Sequence, residues 1–247
     1  MVDDLVLAES RKVWFFVPNL IGYTRVIAAL VAFYWHAAGD RFLFFLWYAL
    51  SYGLDAVDGV AARWLHQEST FGMVLDMVTD RVCTNVLLMI LGVTYQEKWG
   101  PWAFLAFTCL AVLDITSHWV RTVASLQSGQ SSHKTMSEDR PALLQLYYGS
   151  RVVLFFLCAG NEACLALLYL GAYTGGPQVL VPASLAQPFL TSPVPKGGIQ
   201  LGIVSVGAVI TFPIFAVKQL ISIIQLVDSL GEIALMDGHK RAHEKTE

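Results

Sequence analysis

The sequence predicts an all-α integral membrane protein with six transmembrane helices. Of its 247 residues, 55% are hydrophobic and only 14% are charged, and the mean hydropathy is +0.56. A soluble domain of this length is normally about 25% charged. The apolar runs are continuous rather than alternating, so they indicate spanning helices and exclude a transmembrane β-barrel. The net charge of −3 implies nothing about nucleic acid, and no basic block suggests it as a partner. We expect no nucleic acid as a partner, and the lipid bilayer is the expected one.

Six apolar stretches are long enough to cross the hydrocarbon core, which takes about 20 helical residues. They lie near residues 15–37, 42–64, 71–94, 101–123, 150–173 and 199–227. The start of the chain could form a short interfacial helix or a loose tail. The predicted organisation is a cytosolic or interfacial segment over 1–14, a six-helix domain over 15–227 and a cytosolic tail over 228–247.

The distribution of lysine and arginine predicts which membrane face each loop occupies. With a cytoplasmic N-terminus, the cytoplasmic side holds Arg11, Lys12, Arg63, Arg121, Lys134, Arg140, Lys240, Arg241 and Lys245. The opposite side keeps Arg41, Lys98 and Lys196. This excess on one side follows the positive-inside rule, and it places the turn between the second and third spans at the cytoplasmic face.

Four aspartates lie in the second and third spans, at a depth where carboxylates are costly and usually functional. In the second span, spacings of three and four place one set of residues on a single helical face: Asp55, Asp58, Gly59, Ala62 and Arg63. In the third span, the corresponding set is Ser69, Gly72, Asp76 and Asp80. Because a short turn near 66–69 makes the two helices antiparallel neighbours, we expect both faces to converge on one cavity.

The chemistry of this cavity is indicated by its charge. Four carboxylates cannot all ionise at low dielectric unless cations neutralise them. Oxygen ligands without cysteine or histidine favour Mg²⁺ or Mn²⁺, and two such ions would balance the charge and clamp a phosphoryl group. Gly59, Ala62 and Gly72 leave room for a ligand, and Arg63 is suited to bind a phosphate.

Two other interpretations of the aspartates stay open from the residues alone. Buried polar groups can hold helices together, although Ser or Asn does so at a smaller cost than four carboxylates. Intramembrane carboxylates also line cation transporters. A transporter would need a polar route to the far face, and the apolar run from Val82 to Val93 offers little of one.

The complete pattern resembles the signature of the CDP-alcohol phosphatidyltransferase family at every defined position: Asp55-x2-Asp58-Gly59-x2-Ala62-Arg63-x8-Gly72-x3-Asp76-x3-Asp80. Further segments resemble eukaryotic members that use inositol: Val17 to Tyr23 with Arg25, Phe71 to Arg81, Asp114 with Ser117 to Trp119, Ser132 to Lys134, Tyr147 to Arg151, and Cys158 to Glu162. The resemblance implies the six-helix fold of that family, a homodimer and an intramembrane active site open to the cytosol.

The resemblance also implies a reaction and a role for each residue of the motif. The phosphatidyl group of CDP-diacylglycerol would pass to myo-inositol, giving phosphatidylinositol and CMP. The four aspartates would hold the divalent ions, and Asp80 would also take the proton from the attacking hydroxyl group. The residues expected to contact CDP-diacylglycerol are Gly59, Ala62, Arg63, Ser69 and Gly72. The implied location is the endoplasmic reticulum membrane, with Golgi or other endomembranes left open.

The acceptor is less constrained, because the signature concerns only the CDP moiety and the metal. Glycerol phosphate, serine or an inositol phosphate are alternatives, and a phosphorylated acceptor would need a basic cluster near Asp80. The expected lining of an inositol cavity is Asp114, His118, Arg121, Lys134 and Arg151, with Asn19, Arg25 and Glu162 as further candidates. Arg25 and Arg151 could equally be ion-paired structural residues.

A hydrolase is a poor interpretation of Asp114, Ser117 and His118. All three lie on one predicted helix, and no Gly-x-Ser-x-Gly turn surrounds the serine. A polar helix face is the interpretation that the spacing favours.

Overall fold

The computed structural model describes residues 2–128, 141–189, 193, 195, 196 and 198–245. These residues are mostly helical, which confirms the predicted all-α class apart from one short β-hairpin. The chain forms two compact units, Met1–Thr84 and Asn85–Glu247.

The first unit is built from helices in its described part. They are α1 (Val2–Trp14), α2 (Val17–Ala37), α3 (Arg41–Trp64) and the portion of α4 (Thr70–Trp99) up to Thr84. α1 has Asp3 and Asp4 in its first turn and Arg11 and Lys12 in its last. This order of charges stabilises a helix through its dipole. The start of the chain is therefore the helix that the sequence offered as one of two alternatives.

α2 and α3 pack closely because one surface of α2 carries small side chains. Ala28, Ala29 and Ala32 are buried on α2, and Phe44 and Tyr48 are buried on α3. Small residues let two helices approach each other without side chains holding them apart. This packing brings the middle of α2 beside the part of α3 that carries the aspartates.

The predicted turn between the second and third spans is confirmed at 65–69, between α3 and α4. His66 takes a left-handed conformation there, with φ of +53°. Ser69 then precedes α4, and its Oγ accepts a hydrogen bond from the backbone N of Gly72 over 3.0 Å. A serine in this position satisfies one of the free N–H groups at a helix start.

The second unit contains the remainder of α4 and most of the other elements. They are α5 (Pro101–Ser128), α6 (Ala142–Gly149), α7 (Arg151–Tyr173), β1 (Gln178–Val181), α8 (Ala183–Ala186), a 3₁₀ turn (Gln187–Phe189), β2 (Ile199–Gly202) and α9 (Ile203–Glu244). α9 packs against both α5 and α7. Leu144, Tyr147 and Ile221 form a buried cluster where α6 and α9 meet.

A two-stranded antiparallel hairpin lies between α7 and α9. The sequence predicts the residues of its second strand as the start of the sixth span, 199–227, and this part of the prediction is wrong, because the last helix begins only at Ile203. Gln178 pairs with Gly202 at one end of the ladder, and Val181 pairs with Ile199 at the other. Gly198, just before β2, has a φ of +87°, and a Cβ there would collide with the backbone carbonyl of Val181. Glycine is therefore required at this position.

Among the described residues, four helices are long and apolar enough to cross a membrane: Val17–Ala37, Pro101–Gln127, Arg151–Tyr173 and Ile203–Glu244. α3 and α4 have sufficient length, 24 and 30 residues, but they carry the charged motif. Large apolar side chains such as Leu30, Trp102 and Phe156 are exposed, as lipid-facing residues are. The chain is therefore a membrane protein.

The last helix is longer than the predicted sixth span of 199–227. α9 contains 42 residues, which corresponds to about 63 Å, whereas the hydrocarbon core is about 30 Å thick. The segment predicted as a tail over 228–247 therefore continues the helix as far as Glu244. Its sequence contains no proline, and its charged residues are compatible with a solvated helix.

Candidate active site

The four motif aspartates of the first unit converge on one guanidinium group, that of Arg25 on α2. Its Nη1 lies 2.7 Å from Oδ2 of Asp58 and 2.6 Å from Oδ1 of Asp76. Its Nη2 lies 2.6 Å from Oδ1 of Asp55 and also donates to Oδ1 of Asp80. The predicted convergence of the two helical faces is therefore confirmed, and a third helix supplies the group on which they meet.

Each terminal nitrogen of Arg25 bridges one carboxylate of α3 and one of α4. The planar fork of an arginine can hold several carboxylate oxygens in fixed directions, which a lysine cannot do. The side chain of Arg25 is only 2% exposed, so its guanidinium lies away from bulk water. The arginine thereby ties three helices together through charged hydrogen bonds, which are stronger than neutral ones.

The cluster carries more negative than positive charge. Four carboxylates face one buried guanidinium, and Arg81 adds a second cation only at its edge, with Nη2 3.5 Å from Oδ2 of Asp80. Like charges this close repel strongly unless further cations reduce the field. The excess charge is what a site for divalent ions requires.

The donor set and its spacing fit a metal ion. Asp55, Asp76 and Asp80 each offer one carboxylate oxygen, and these oxygens lie within 4.8 Å of one another. Hard oxygen ligands of this kind suit Mg²⁺, Mn²⁺ or Ca²⁺. The side chain of Asp76 is 47% exposed, so an ion can reach the cluster from solvent. Asp58, at 12%, is the most enclosed of the four.

A cavity of about 250 Å³ opens beside the cluster. Its lining includes most of the residues predicted to contact CDP-diacylglycerol, namely Gly59, Ala62, Ser69 and Gly72, together with Asp58 and Asp76. Arg63 is not part of the lining, but its Nη1 lies 3.4 Å from the position that a Cβ on Gly59 would occupy. The cavity and the carboxylates are therefore contiguous, as expected of a phosphate-containing ligand that meets a metal.

Two side chains approach the backbone of Gly72 closely within this cavity. A Cβ there would lie 2.7 Å from Oδ1 of Asn19 and 3.2 Å from Oγ of Ser69. Asn19 is buried, and its Nδ2 donates to the carbonyl oxygen of Val13 over 2.6 Å. Its position is thus determined by the end of α1. The sequence predicts Asn19 as a lining residue, and the structure places it in the cavity beside the aspartates.

Gln67 also lines this cavity, and the sequence analysis did not identify it. Its Oε1 accepts a hydrogen bond from the backbone N of Val17 over 2.8 Å. This contact joins the α3–α4 turn to the start of α2. A glutamine in a polar turn has no distinctive sequence pattern, which explains why it was not found.

The polar face predicted on α5 lies in the second unit. Asn85 Nδ2 donates to Oδ2 of Asp114 over 3.2 Å, and Nδ1 of His118 lies 2.8 Å from the carbonyl oxygen of Asp114. Arg121 Nη1 lies 3.0 Å from Oε2 of Glu232 on α9. Ser117 is fully buried and donates to the carbonyl oxygen of Asp114. These groups form a hydrogen-bonded polar face, as the sequence predicts.

Three more residues were predicted to line an inositol cavity: Arg151, Lys134 and Glu162. Arg151 is exposed at the first position of α7. Lys134 lies outside the described residues. Glu162 is buried in α7, where its Oε1 accepts from Nδ2 of Asn161 over 3.3 Å.

Arg25, which the sequence offered either as a cavity-lining residue or as an ion-paired structural residue, is ion-paired in the structure. It stands alone in α2 as the only lysine, arginine, aspartate or glutamate between residues 17 and 37. A lone charge in an apolar span is costly and needs a partner. The energetic cost of this lone charge was the signal in the sequence that Arg25 has charged partners. Those partners are the four aspartates.

Comparison with known proteins gives the class of protein that this fold and site define. The sequence profile of the family described as CDP-alcohol phosphatidyltransferase matches residues 15–175. The chain belongs to the CDP-alcohol phosphatidyltransferase family.

Similarity to individual family members extends over almost the whole chain. A Schizosaccharomyces pombe protein named CDP-diacylglycerol–inositol 3-phosphatidyltransferase is 39% identical over 237 residues, which cover 96% of each chain. The human protein of that name is 38% identical over 240 residues, covering 96% of this chain and 99% of the human one. The Saccharomyces cerevisiae protein of that name is 43% identical over 166 residues, which cover 67% of this chain and 72% of its own. No solved structure showed a significant match.

Proposed function

We propose that this protein transfers the phosphatidyl group of CDP-diacylglycerol to myo-inositol, giving phosphatidylinositol and CMP. The observation that carries this proposal is the similarity to proteins named for this reaction, which extends over 96% of the chain for both the fission yeast and the human relative. The complete aspartate motif and its cavity supply the machinery that the reaction needs. A cation transporter finds no support in the buried Leu87, Leu88 and Leu91 of α4, which are all apolar.

The four aspartates are proposed to hold two divalent ions, Mg²⁺ or Mn²⁺. Bound ions of this kind neutralise a diphosphate and stabilise the charge that develops as its bond breaks. Asp55, Asp76 and Asp80 have the spacing for one such site. Asp58 lies next to the cavity and completes the set that the motif predicts.

Asp80 is proposed to act as general base. Its Oδ1 accepts from Arg25, whereas Arg81 Nη2 lies at the longer distance of 3.5 Å from its Oδ2. Oδ2 is thus the oxygen better placed to take the proton of the attacking inositol hydroxyl. The hydroxyl oxygen then forms a bond to the phosphorus of the phosphatidyl group, and the phosphoanhydride bond breaks to release CMP. A carboxylate is a weak base for an alcohol, so electrostatic stabilisation must supply much of the rate enhancement.

The donor is proposed to bind in the 250 Å³ cavity of the first unit. Gly59, Ala62 and Gly72 line the cavity without large side chains and so leave room for the donor. Ser69 contributes a hydroxyl group to the same lining. Arg63, next to Gly59, is suited to pair with a phosphate oxygen at the mouth. Together these residues would place the diphosphate against the carboxylates.

The acceptor-binding residues are proposed from the resemblance: Asp114, His118, Arg121, Lys134 and Arg151. Hydroxyl-rich inositol would suit the carboxylate of Asp114, which accepts hydrogen bonds, and the imidazole of His118, which can donate or accept them. Arg121 is engaged by Glu232 in the second unit. A paired arginine is less available to a phosphate group, so this contact favours an unphosphorylated acceptor.

The membrane arrangement is proposed to contain six spans, with α3 and α4 as the second and third. Both chain ends and the active site would face the cytosol, because that orientation places most lysines and arginines on the cytosolic side. The family resemblance supports a homodimer and the endoplasmic reticulum membrane, with other endomembranes as the alternative. Glycosylation-site insertion into the loops on each face would test the orientation.

The reaction can be tested with the purified full-length protein in lipid nanodiscs. Given CDP-diacylglycerol, Mg²⁺ or Mn²⁺ and radiolabelled inositol, it should release CMP and produce labelled lipid. Parallel reactions with serine, glycerol phosphate or an inositol phosphate as acceptor determine the substrate. CMP release with one of these but not with inositol would replace inositol as the acceptor. No CMP release with any acceptor would falsify the proposed reaction.

A further inference from the structure

The guanidinium of Arg25 occupies the place where a cation bridging α3 and α4 would lie. Its two terminal nitrogens contact one carboxylate oxygen from each of the four aspartates. Three of those aspartates, Asp55, Asp76 and Asp80, are also the group with the spacing for a metal ion. The arginine and the ion therefore draw on the same small set of carboxylates.

Arg25 and a divalent ion would compete for the same carboxylate oxygens, because both carry positive charge and would lie close together. A Mg²⁺ or Mn²⁺ ion binds a carboxylate oxygen at about 2.1 Å. Arg25 Nη2 lies 2.6 Å from Oδ1 of Asp55. If an ion bound that same oxygen, the two positive centres would be at most about 5 Å apart, where like charges still repel strongly at a protein-like dielectric.

The arginine is also held in place by its surroundings. Arg25 belongs to α2, its side chain is 2% exposed, and its backbone carbonyl accepts a hydrogen bond from Ser51 Oγ over 2.9 Å. Its Nε is buried and has no hydrogen-bond partner in the described part of the chain. The guanidinium therefore pairs with the aspartates through its two terminal nitrogens.

The geometry points to Arg25 as an internal counter-ion of the metal site. It holds the four carboxylates together while divalent ions are absent, and it weakens the binding of those ions by competing for the same oxygens. This inference rests on the proposed role of the aspartates as metal ligands. Arg25 is accordingly a positioning residue that sets metal affinity through the aspartates.

Substitution of Arg25 separates this role from a merely structural one. Arg25→Gln removes the internal cation, so the metal-free protein should melt at a lower temperature, and the remaining uncompensated carboxylates should bind Mn²⁺ more tightly. Arg25→Lys keeps a charge but loses the fork, so it should give intermediate values. A structural arginine would lower the melting temperature equally with and without Mn²⁺ and would not tighten Mn²⁺ binding.

Arg81→Gln is the matched control. It removes the same charge near the same carboxylate, since Arg81 Nη2 lies 3.5 Å from Oδ2 of Asp80, but it leaves the fork intact. A general change in the local field would affect both variants alike. Competition for ligand oxygens would affect Arg25→Gln alone.

The experiment uses full-length protein in detergent micelles, without substrate, and Mn²⁺ as the probe. Free Mn²⁺ is measured by electron paramagnetic resonance during a titration, and thermal unfolding is followed with EDTA or with saturating Mn²⁺. We expect about tenfold tighter Mn²⁺ binding in Arg25→Gln and a change below about threefold in Arg81→Gln. Mn²⁺ should also raise the melting temperature of Arg25→Gln by more than that of the unsubstituted protein.

Each outcome decides the inference. Unchanged or weaker Mn²⁺ binding in Arg25→Gln overturns it while leaving the metal site in place. If Arg25→Gln does not fold, Arg25→Lys decides, because competition requires its Mn²⁺ binding to be tighter than that of the unsubstituted protein. If neither the unsubstituted protein nor Arg25→Gln binds Mn²⁺, the metal assignment in the proposed function is wrong and the counter-ion inference fails with it.

Discussion

Arg25 on α2 donates from Nη1 to Oδ2 of Asp58 on α3 over 2.7 Å, across 33 positions of the chain. This contact joins a lone cation in an apolar helix to the most enclosed of the four motif carboxylates. Removing either charge is costly, because it leaves the other largely buried with one partner fewer. The ion pair is therefore both a structural link between the helices and a part of the candidate active site.

The proposed base can be tested by Asp80→Asn. The amide keeps the shape of the side chain but cannot accept the inositol proton, and it also weakens the metal ligand set. We expect CMP release to fall by at least about 10³-fold, consistent with the loss of a base and of electrostatic stabilisation. Steady-state CMP release measures the loss, and a size-exclusion profile confirms a folded protein.

Asp237→Asn makes the same chemical change at an exposed position on α9 and should leave the rate unaltered. Activity within about threefold of normal in Asp80→Asn would remove Asp80 as the base.

The tight approach at Gly72 predicts a strong effect of a single added methyl group. In Gly72→Ala the new Cβ would lie 2.7 Å from Oδ1 of Asn19, so the asparagine side chain must shift from its place beside the cavity. We expect kcat/KM for CDP-diacylglycerol to fall by about 10- to 100-fold, since small displacements of positioned groups are costly. Kinetics at varied donor concentration provide the measurement.

Gly53→Ala is the control for this substitution, because a Cβ at that position has no neighbour within 4 Å. Alanine also favours a helix by about 1 kcal/mol over glycine, so the control should be as stable as the original protein or more so. Equal kinetics for the two alanine variants would contradict the proposed donor cavity.

The hydroxyl of Ser69 is expected to have two roles that two substitutions can separate. Its Oγ accepts from the backbone N of Gly72 over 3.0 Å and lines the cavity. Ser69→Ala should therefore lower stability by about 1 kcal/mol and also raise KM for CDP-diacylglycerol. Thermal unfolding and donor kinetics measure the two effects.

Ser150→Ala removes a comparable cap, since the Oγ of Ser150 accepts from the backbone N of Val153 over 3.4 Å at the start of α7. It should lower stability without changing KM for the donor. A normal donor KM in Ser69→Ala would assign the serine to capping alone.

The pair of Arg121 and Glu232 should show energetic coupling. Their charged atoms lie 3.0 Å apart, and both side chains are largely enclosed, at 20% and 11% exposure. Glu232→Gln or Arg121→Gln alone leaves a partly buried charge without its partner, whereas the double variant removes both charges. We expect the double variant to melt at a higher temperature than the sum of the two single effects predicts.

Thermal unfolding of the four proteins in this cycle gives the coupling. Additive changes in melting temperature would show that the two residues do not interact. In that case Arg121 would again be available to bind a phosphorylated acceptor.

The sequence predicted the helical membrane class and several residues of the cavity lining, because both depend on local spacing. Gly59, Ala62 and Gly72 could be assigned to one surface from helical periodicity and from the α3–α4 turn alone. The hairpin of Gln178–Val181 with Ile199–Gly202 could not be predicted, because its two short strands become recognisable only when paired. The length of α9 was also underestimated, because hydropathy reports where a helix leaves lipid and not where it ends.

By itself, the sequence determined the helical membrane class and placed the four carboxylates on two helical faces, since amino-acid type and helical period specify both. Only the tertiary structure decided what the carboxylates contact. Arg25 is 55 positions from Asp80, and no local pattern states that they pair. The pairing follows from the small buried face of α2, which lets the helix approach α3, and from the cost of leaving an arginine unpaired in an apolar span.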